Sequence, residues 1–455
     1  MLMKKTAVLV AGGLLGALGF GQFAAAQTPA KANQDQVTFA KDVARILEKS
    51  CQSCHRPDGI GPMSLLTYQD ARPWARAIKQ QVAQRNMPPW YIDKTVGIQS
   101  FKNDISLSND EIATLAKWAD EGAPMGNPAD MPPPLKFDDD SRWHIGKPDI
   151  VVTLKTPLLV KGKQSDRWID VPFKDLGITS PRYIQAVEVK PVKGVKVVHH
   201  CETSLIDPDT ESRDHLEEYA LGKYGDVFPE GTGMLVKPGS TILANMHVHA
   251  DGEDTTADVA IGLKLFPEGE VPKYVGHAQQ LASASELDLR PNEKNQRFDG
   301  YTVLTKAAVI TSFQPHMHQR GQAQCLELLI PMGGGDRPAF VRKETVSCVD
   351  RFHFDWHVVY EYSDDVAPIV PAGTILHSIS LYDNTAAHNG NPDPTNWVGW
   401  GNRTVDEMGF SWITWHDLTE QQYKEELAKR QALTKKRGTE DGAATQAAVQ
   451  TQSLN

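Results

Sequence analysis

The chain has 455 residues, a formal net charge of −10 and only five cysteines. An acidic balance of this size argues against nucleic acid or an anionic membrane surface as a partner. The length leaves room for roughly three domains of ordinary size.

In chain order, Lys4 and Lys5 precede an apolar run from Thr6 to Phe23, and Ala24-Ala25-Ala26 follows. A basic start, an apolar stretch and small residues before Gln27 form the layout of a secretory signal over residues 1–26. The run is short for a retained membrane anchor, and no later segment is apolar enough to span a bilayer. The mature chain is therefore expected to be soluble and periplasmic or secreted.

Residues 35–130 read as a small helical unit. Phe39 to Ser50 is amphipathic and ends at Cys51-Gln52-Ser53-Cys54-His55. In that pattern two thiols attach covalently to the vinyl groups of a c-type haem, and the adjacent imidazole becomes an iron ligand. A zinc half-site would need a second Cys or His pair nearby, and the next cysteine is Cys201. Asp70 to Arg85 has Trp74, Ala77, Ile78 and Val82 at helical spacing, with Pro73 near its start. Ser108 to Gly122 opens on capping residues and closes on glycine. Met87, in Asn86-Met87-Pro88-Pro89-Trp90, is the candidate distal haem ligand, because proline stiffens its loop. Met63 and Met125 are its rivals.

Pro132-Pro133-Pro134 and Asp138-Asp139-Asp140 mark a stiff, solvated linker at 131–148. Short alternating runs follow, such as Tyr183–Val189 and Ala307–Thr311, separated by turn residues. They predict two β-sandwich domains, over 149–280 and 281–418. A charged helix from Thr419 to Arg437 and a disordered tail complete the chain, 419–455. Cys325 and Cys348 flank an expected hairpin and can pair in an oxidising compartment, with Cys201 as a competing partner.

The β region carries three histidine motifs: Val198-His199-His200, Met246-His247-Val248-His249 and Pro315-His316-Met317-His318. Strand residues i and i+2 share a face, so His316 and His318 can grip one ion. His199 and His200 point oppositely in a regular strand and can act together only at a strand end or bulge. A fourth motif, Asp406-Glu407-Met408-Gly409, offers a thioether, which with imidazoles selects copper, above all Cu(I).

This series of motifs resembles the copper type II, ascorbate-dependent monooxygenases, the family of peptidylglycine α-hydroxylating monooxygenase and dopamine β-hydroxylase. The likeness covers residues about 150–420, and a cytochrome c domain looks fused in front. The resemblance implies a small all-α cytochrome c domain followed by two all-β jelly-roll sandwich domains, each supplying one copper. His199, His200 and His247 would hold the electron-transfer copper, with His249 as an alternative to His247. His316, His318 and Met408 would hold the catalytic copper. The cofactors implied are one covalent haem c and two copper ions.

The expected function is an exported monooxygenase hydroxylating a C–H bond of a small organic substrate with O2. The haem, bound by Cys51, Cys54, His55 and Met87, takes the place of ascorbate as electron source and must be reloaded by an external donor. A non-catalytic haem and copper electron carrier, or a three-histidine zinc hydrolase, are the competing classes. Trp397, Trp400, Trp412 and Trp415 are candidates for an apolar pocket wall, although strand aromatics more often fill cores.

Overall fold

The computed structural model describes residues 36–57, 61–136, 143–220, 225–333 and 340–435. The expected signal peptide, the acidic middle of the expected linker and the tail beyond residue 435 lie outside the described residues. Among those described, no helix is long and apolar enough to cross a membrane. The described backbone is mostly β-sheet, with short helices before residue 131 and one over 420–435.

Two β cores organise the chain. The first lies between a sheet of Ile150–Thr153, Thr255–Leu265, Arg182–Lys193 and Thr232–Val236 and a four-stranded sheet ordered Arg167–Phe173, Thr241–Val248, Val198–Ile206, Arg213–Ala220. Alternation turns Val187, Val189, Ile261 and Leu263 of one sheet toward Leu205, Ile242, Ala244 and Met246 of the other, and this is the sandwich core. The second pairs Tyr274–Leu281, Gly409–Leu418 and Ala307–Met317 against Lys294–Val303, Ile375–Asp383, Gly321–Met332 and Phe340–Val349. Tyr274 and Val275 run parallel to Thr232 and Gly233, so one sheet continues through both halves. The strand Tyr274–Leu281 places Tyr274 and Leu281 in the second core. Cys325 and Cys348 are direct partners across the antiparallel pair Gly321–Met332 and Phe340–Val349 and form the disulfide. Cys201 is free and buried.

The helices behave largely as their sequences predict. Phe39–Ser50 is helical throughout, and Asn109–Asp120 starts on a reciprocal capping box between Ser108 and Glu111. The middle helix runs Tyr68–Ala83 but tightens to 3₁₀ geometry over Arg72–Trp74, around Pro73. That tighter turn rotates Trp74 off the apolar face, leaving it 43% exposed while Ala75, Ile78 and Val82 are buried. Phe39, Leu47, Leu115 and Trp118 fill a small core between the helices.

The helices do not stand apart from the β-sheets. Trp90, Tyr91, Ile92 and Phe101 leave the helices and join the second β core. The Asp93 N–H donates to the Cys348 carbonyl at 2.8 Å, and Ile98 N–H to Val346 at 2.8 Å, so this loop docks along the edge strand Phe340–Val349. The edge offers unpaired backbone groups, and the loop's aromatics complete an apolar surface beneath it. Within the stretch expected as linker, Ile145 is buried, and the N–H groups of His144 and Ile145 donate to buried Glu188.

Candidate metal centre

In Val198–Ile206 the register against Thr241–Val248 shifts between Val198 and His200. This irregularity releases His199 from alternation, so the two adjacent rings turn the same way. Their Nδ1 atoms lie 3.1 Å apart. His247, from the neighbouring strand, brings its Nδ1 to 3.4 Å from that of His200. One ligand atom from each of the three lies within 4.8 Å of the others. His249 stays outside this group, its ring centroid 5.9 Å from that of His199. The other nitrogen of His247 meets Asp166 Oδ2 at 3.1 Å, and its ring stacks on Trp168 with centroids 4.1 Å apart. A carboxylate at the rear nitrogen fixes tautomer and orientation, which is how ligating histidines are commonly held.

Burial keeps these rings neutral. It pushes His200 down to about 3 against the pull of Glu218, and His199 down to about 4 with His247 and His357 adding to the effect. Three neutral imidazoles converging in this way put nitrogen donors within reach of one soft or borderline cation.

The second group stands at the end of Ala307–Met317. His316 is buried and stacks on Phe410, centroids 4.4 Å apart, and its ring lies 5.5 Å from that of His318. His318 Nδ1 sits 3.1 Å from the Asp406 carbonyl, leaving Nε2 for a ligand. Burial holds both rings below the usual histidine range. Glu407 is buried beneath them and accepts from the backbone N–H of His318 at 2.9 Å and of Arg320 at 2.6 Å. Its burial pushes the carboxyl up to about 8, while those N–H groups and the Arg320 guanidinium pull it back down. The Tyr382 hydroxyl donates to the Met408 carbonyl at 2.6 Å. Gly409 permits that approach, since a Cβ there would collide with the same hydroxyl. The Asp-Glu-Met-Gly run thus works as a unit: a carbonyl for His318, a buried anchor, a thioether and a clearance.

Both groups line one cavity of about 730 Å³, to which His199, His200 and His247 contribute on one side and His316, His318 and Met408 on the other. Trp168, Phe354, Phe410 and Trp412 supply aromatic wall. Of the four tryptophans singled out in the sequence only Trp412 reaches it. Trp415 is in the β core, and Trp397 and Trp400 line a separate hollow. Sequence reading missed His357, which stands between the groups, its ring 6.0 Å from His200 and 5.7 Å from His316. It comes from an irregular loop, where no strand period marks it. Glu202 was missed although it lies two residues beyond His200 and so shares its face. Burial, with Glu218 opposite, pushes the Glu202 carboxyl up to about 7.

Among the helices, Cys51 and Cys54 are free, and His55 Nδ1 lies 3.2 Å from the Met63 carbonyl. The Met63 side chain packs on the helical core, as does Met125. Met87 instead lines a hollow of about 220 Å³ with Val82, Leu107 and Ile112. Among the described residues, Cys51, Cys54 and His55 do not draw ligand atoms together as the histidine group does.

No known protein-family model and no curated protein matches the chain. Among solved structures it is similar to the major capsid protein P2 of bacteriophage PM2, at 8% identity and a TM-score of 0.26, over 59% of this chain and 97% of that one. It is similar to PNGase F, a glycosylasparaginase from Flavobacterium meningosepticum, at 10% identity and a TM-score of 0.26, over 59% and 96%. Likenesses this distant carry no argument about the site.

Proposed function

We propose that the chain is an exported, copper-dependent monooxygenase that hydroxylates a C–H bond with O2, drawing electrons through a covalently attached haem c. The observation that carries the reading is the cavity itself. It joins an all-imidazole group, His199, His200 and His247, to a mixed imidazole and thioether group, His316, His318 and Met408. The thioether favours cuprous copper, whereas zinc sites rarely use one. Copper held at these groups would supply reduction of O2 and attack on the C–H bond.

The chain's own residues prepare the site for that chemistry. Asp166 and the Asp406 carbonyl each engage the rear nitrogen of a histidine and aim the other ring nitrogen forward. Glu407 anchors the His318 backbone from below, and Tyr382 fixes the Met408 backbone. The aromatic wall offers an apolar substrate a surface that excludes water. A pure electron carrier needs no such space.

For the haem, the spacing of Cys51 and Cys54 and the orientation of His55 fit covalent attachment. With Nδ1 engaged by the Met63 carbonyl, Nε2 would be the nitrogen left to hold iron. Met87, on its proline-stiffened loop, would be the second iron ligand. The two all-β halves would be the family's jelly-roll domains, and the helices its cytochrome addition.

The test is O2 consumption by the intact chain across a panel of candidate substrates, with product analysis under labelled O2. Substrate-dependent uptake with one labelled oxygen atom in the product supports the monooxygenase. Uptake that ignores every substrate favours the relay.

A further inference from the structure

The two proposed copper groups do not account for the acidic residues on the cavity wall. Glu202 and Glu218 are direct partners across the antiparallel pair Val198–Ile206 and Arg213–Ala220. Like charges directly opposed in a ladder repel, and Glu218 is wholly buried, where hydration cannot relieve the repulsion. The His200 ring completes the arrangement: one ligand atom each from His200, Glu202 and Glu218 lie within 4.8 Å of one another. His357 Nδ1 lies 3.0 Å from Glu218 Oε1, and the Gln314 amide donates to Glu218 Oε2 at 2.9 Å. The Gln314 hydrogen bond holds the Glu218 carboxylate from one side, and the His357 ring lies against the other oxygen.

We propose that His200, Glu202 and Glu218 form a further cation site, taking a divalent ion of the manganese, iron or zinc class, with His357 as its positioning residue. One imidazole and two carboxylates make a harder donor set than the imidazole and thioether groups beside it, and such a set does not favour Cu(I). An ion there offsets the opposed charges that the ladder forces together. His200, Glu202 and His357 all border the cavity, so the ion's remaining positions face the space where small molecules enter. Because His200 also belongs to the three-imidazole group, the two sites meet at one ring.

The proposal does not depend on the copper assignment, and its probe separates the two. The full chain, dialysed free of copper, is titrated with Mn2+ while the free-ion EPR signal is followed. Mn2+ suits carboxylate donors and is poorly served by three imidazoles alone. The expected result is one bound equivalent, weakened more than about tenfold by Glu202→Gln and by Glu218→Gln, and also weakened by His357→Gln. His247→Ala, which removes a member of the other group only, should leave Mn2+ affinity within about threefold while weakening copper binding. Thermal melting checks that each variant folds, and the half-buried Glu202 provides the variant least exposed to that risk. Failure of the wild-type chain to bind Mn2+ would overturn the site. So would equal binding by folded Glu202→Gln protein, or equal loss in His247→Ala.

Discussion

The Tyr91 backbone N–H donates to the Tyr360 hydroxyl at 3.3 Å, tying the loop after the second helix to the second β core. Beside it the Trp90 and Tyr360 rings meet edge to face with centroids 4.9 Å apart. The helical segment is thus fastened by buried aromatics and backbone pairing. Trp90→Ala should cost about 3–5 kcal/mol, the usual range for emptying a buried aromatic site. Denaturation followed by probes in both parts should show the loss in the second β core, with the Phe39/Trp118 core less affected.

Met87 and Met63 have different surroundings, and their substitutions should diverge. Met87→Ala should abolish the thioether-to-iron absorption band of the oxidised protein, while Met63→Ala should keep it. A band that survives in the first and vanishes in the second would reverse the assignment.

His277 links the two halves electrostatically. Burial alone would push it down, but Asp214, on a strand of the first half, and Asp417, on the second, hold it up at about 9. Lys306 shares Asp417, at 2.7 Å. With an ordinary histidine value of 6.5 in the unfolded chain, the contribution is complete below about pH 6.5 and fades as pH rises through about 9. Its size is on the order of 3 kcal/mol. Thermal midpoints measured from pH 6 to about pH 10 should fall more steeply for wild type than for His277→Gln.

Asp166 touches His247 from behind and should matter without being a ligand. Asp166→Asn should weaken copper at the three-imidazole group by about 10–100-fold while leaving copper at His316, His318 and Met408 in place. Equilibrium dialysis with copper analysis measures this directly.

Much of this architecture was legible because its signals are local. The Ser108/Glu111 cap, the sandwich strands and the i, i+2 pair His316 and His318 follow from spacing alone. The bulge that unites His199 and His200 was a stated condition of their acting together, and the backbone meets it. What the sequence could not convey is non-local. Trp90 to Phe101 reads as a loop of a helical unit because nothing nearby reveals the distant edge strand that it covers. Glu218 becomes notable only once ladder register sets it opposite Glu202. Choosing His247 over His249 likewise required the neighbouring strand, since both residues share one face.

One copper in this cavity should carry a thioether ligand from Met408. X-ray absorption at the copper edge of the fully loaded, reduced chain tests it most directly. The expected result is two copper ions per chain with a sulfur scatterer on one, lost in Met408→Ala while nitrogen scattering at both sites persists. Absence of sulfur in the wild type, or a sulfur signal unchanged by Met408→Ala, would contradict it.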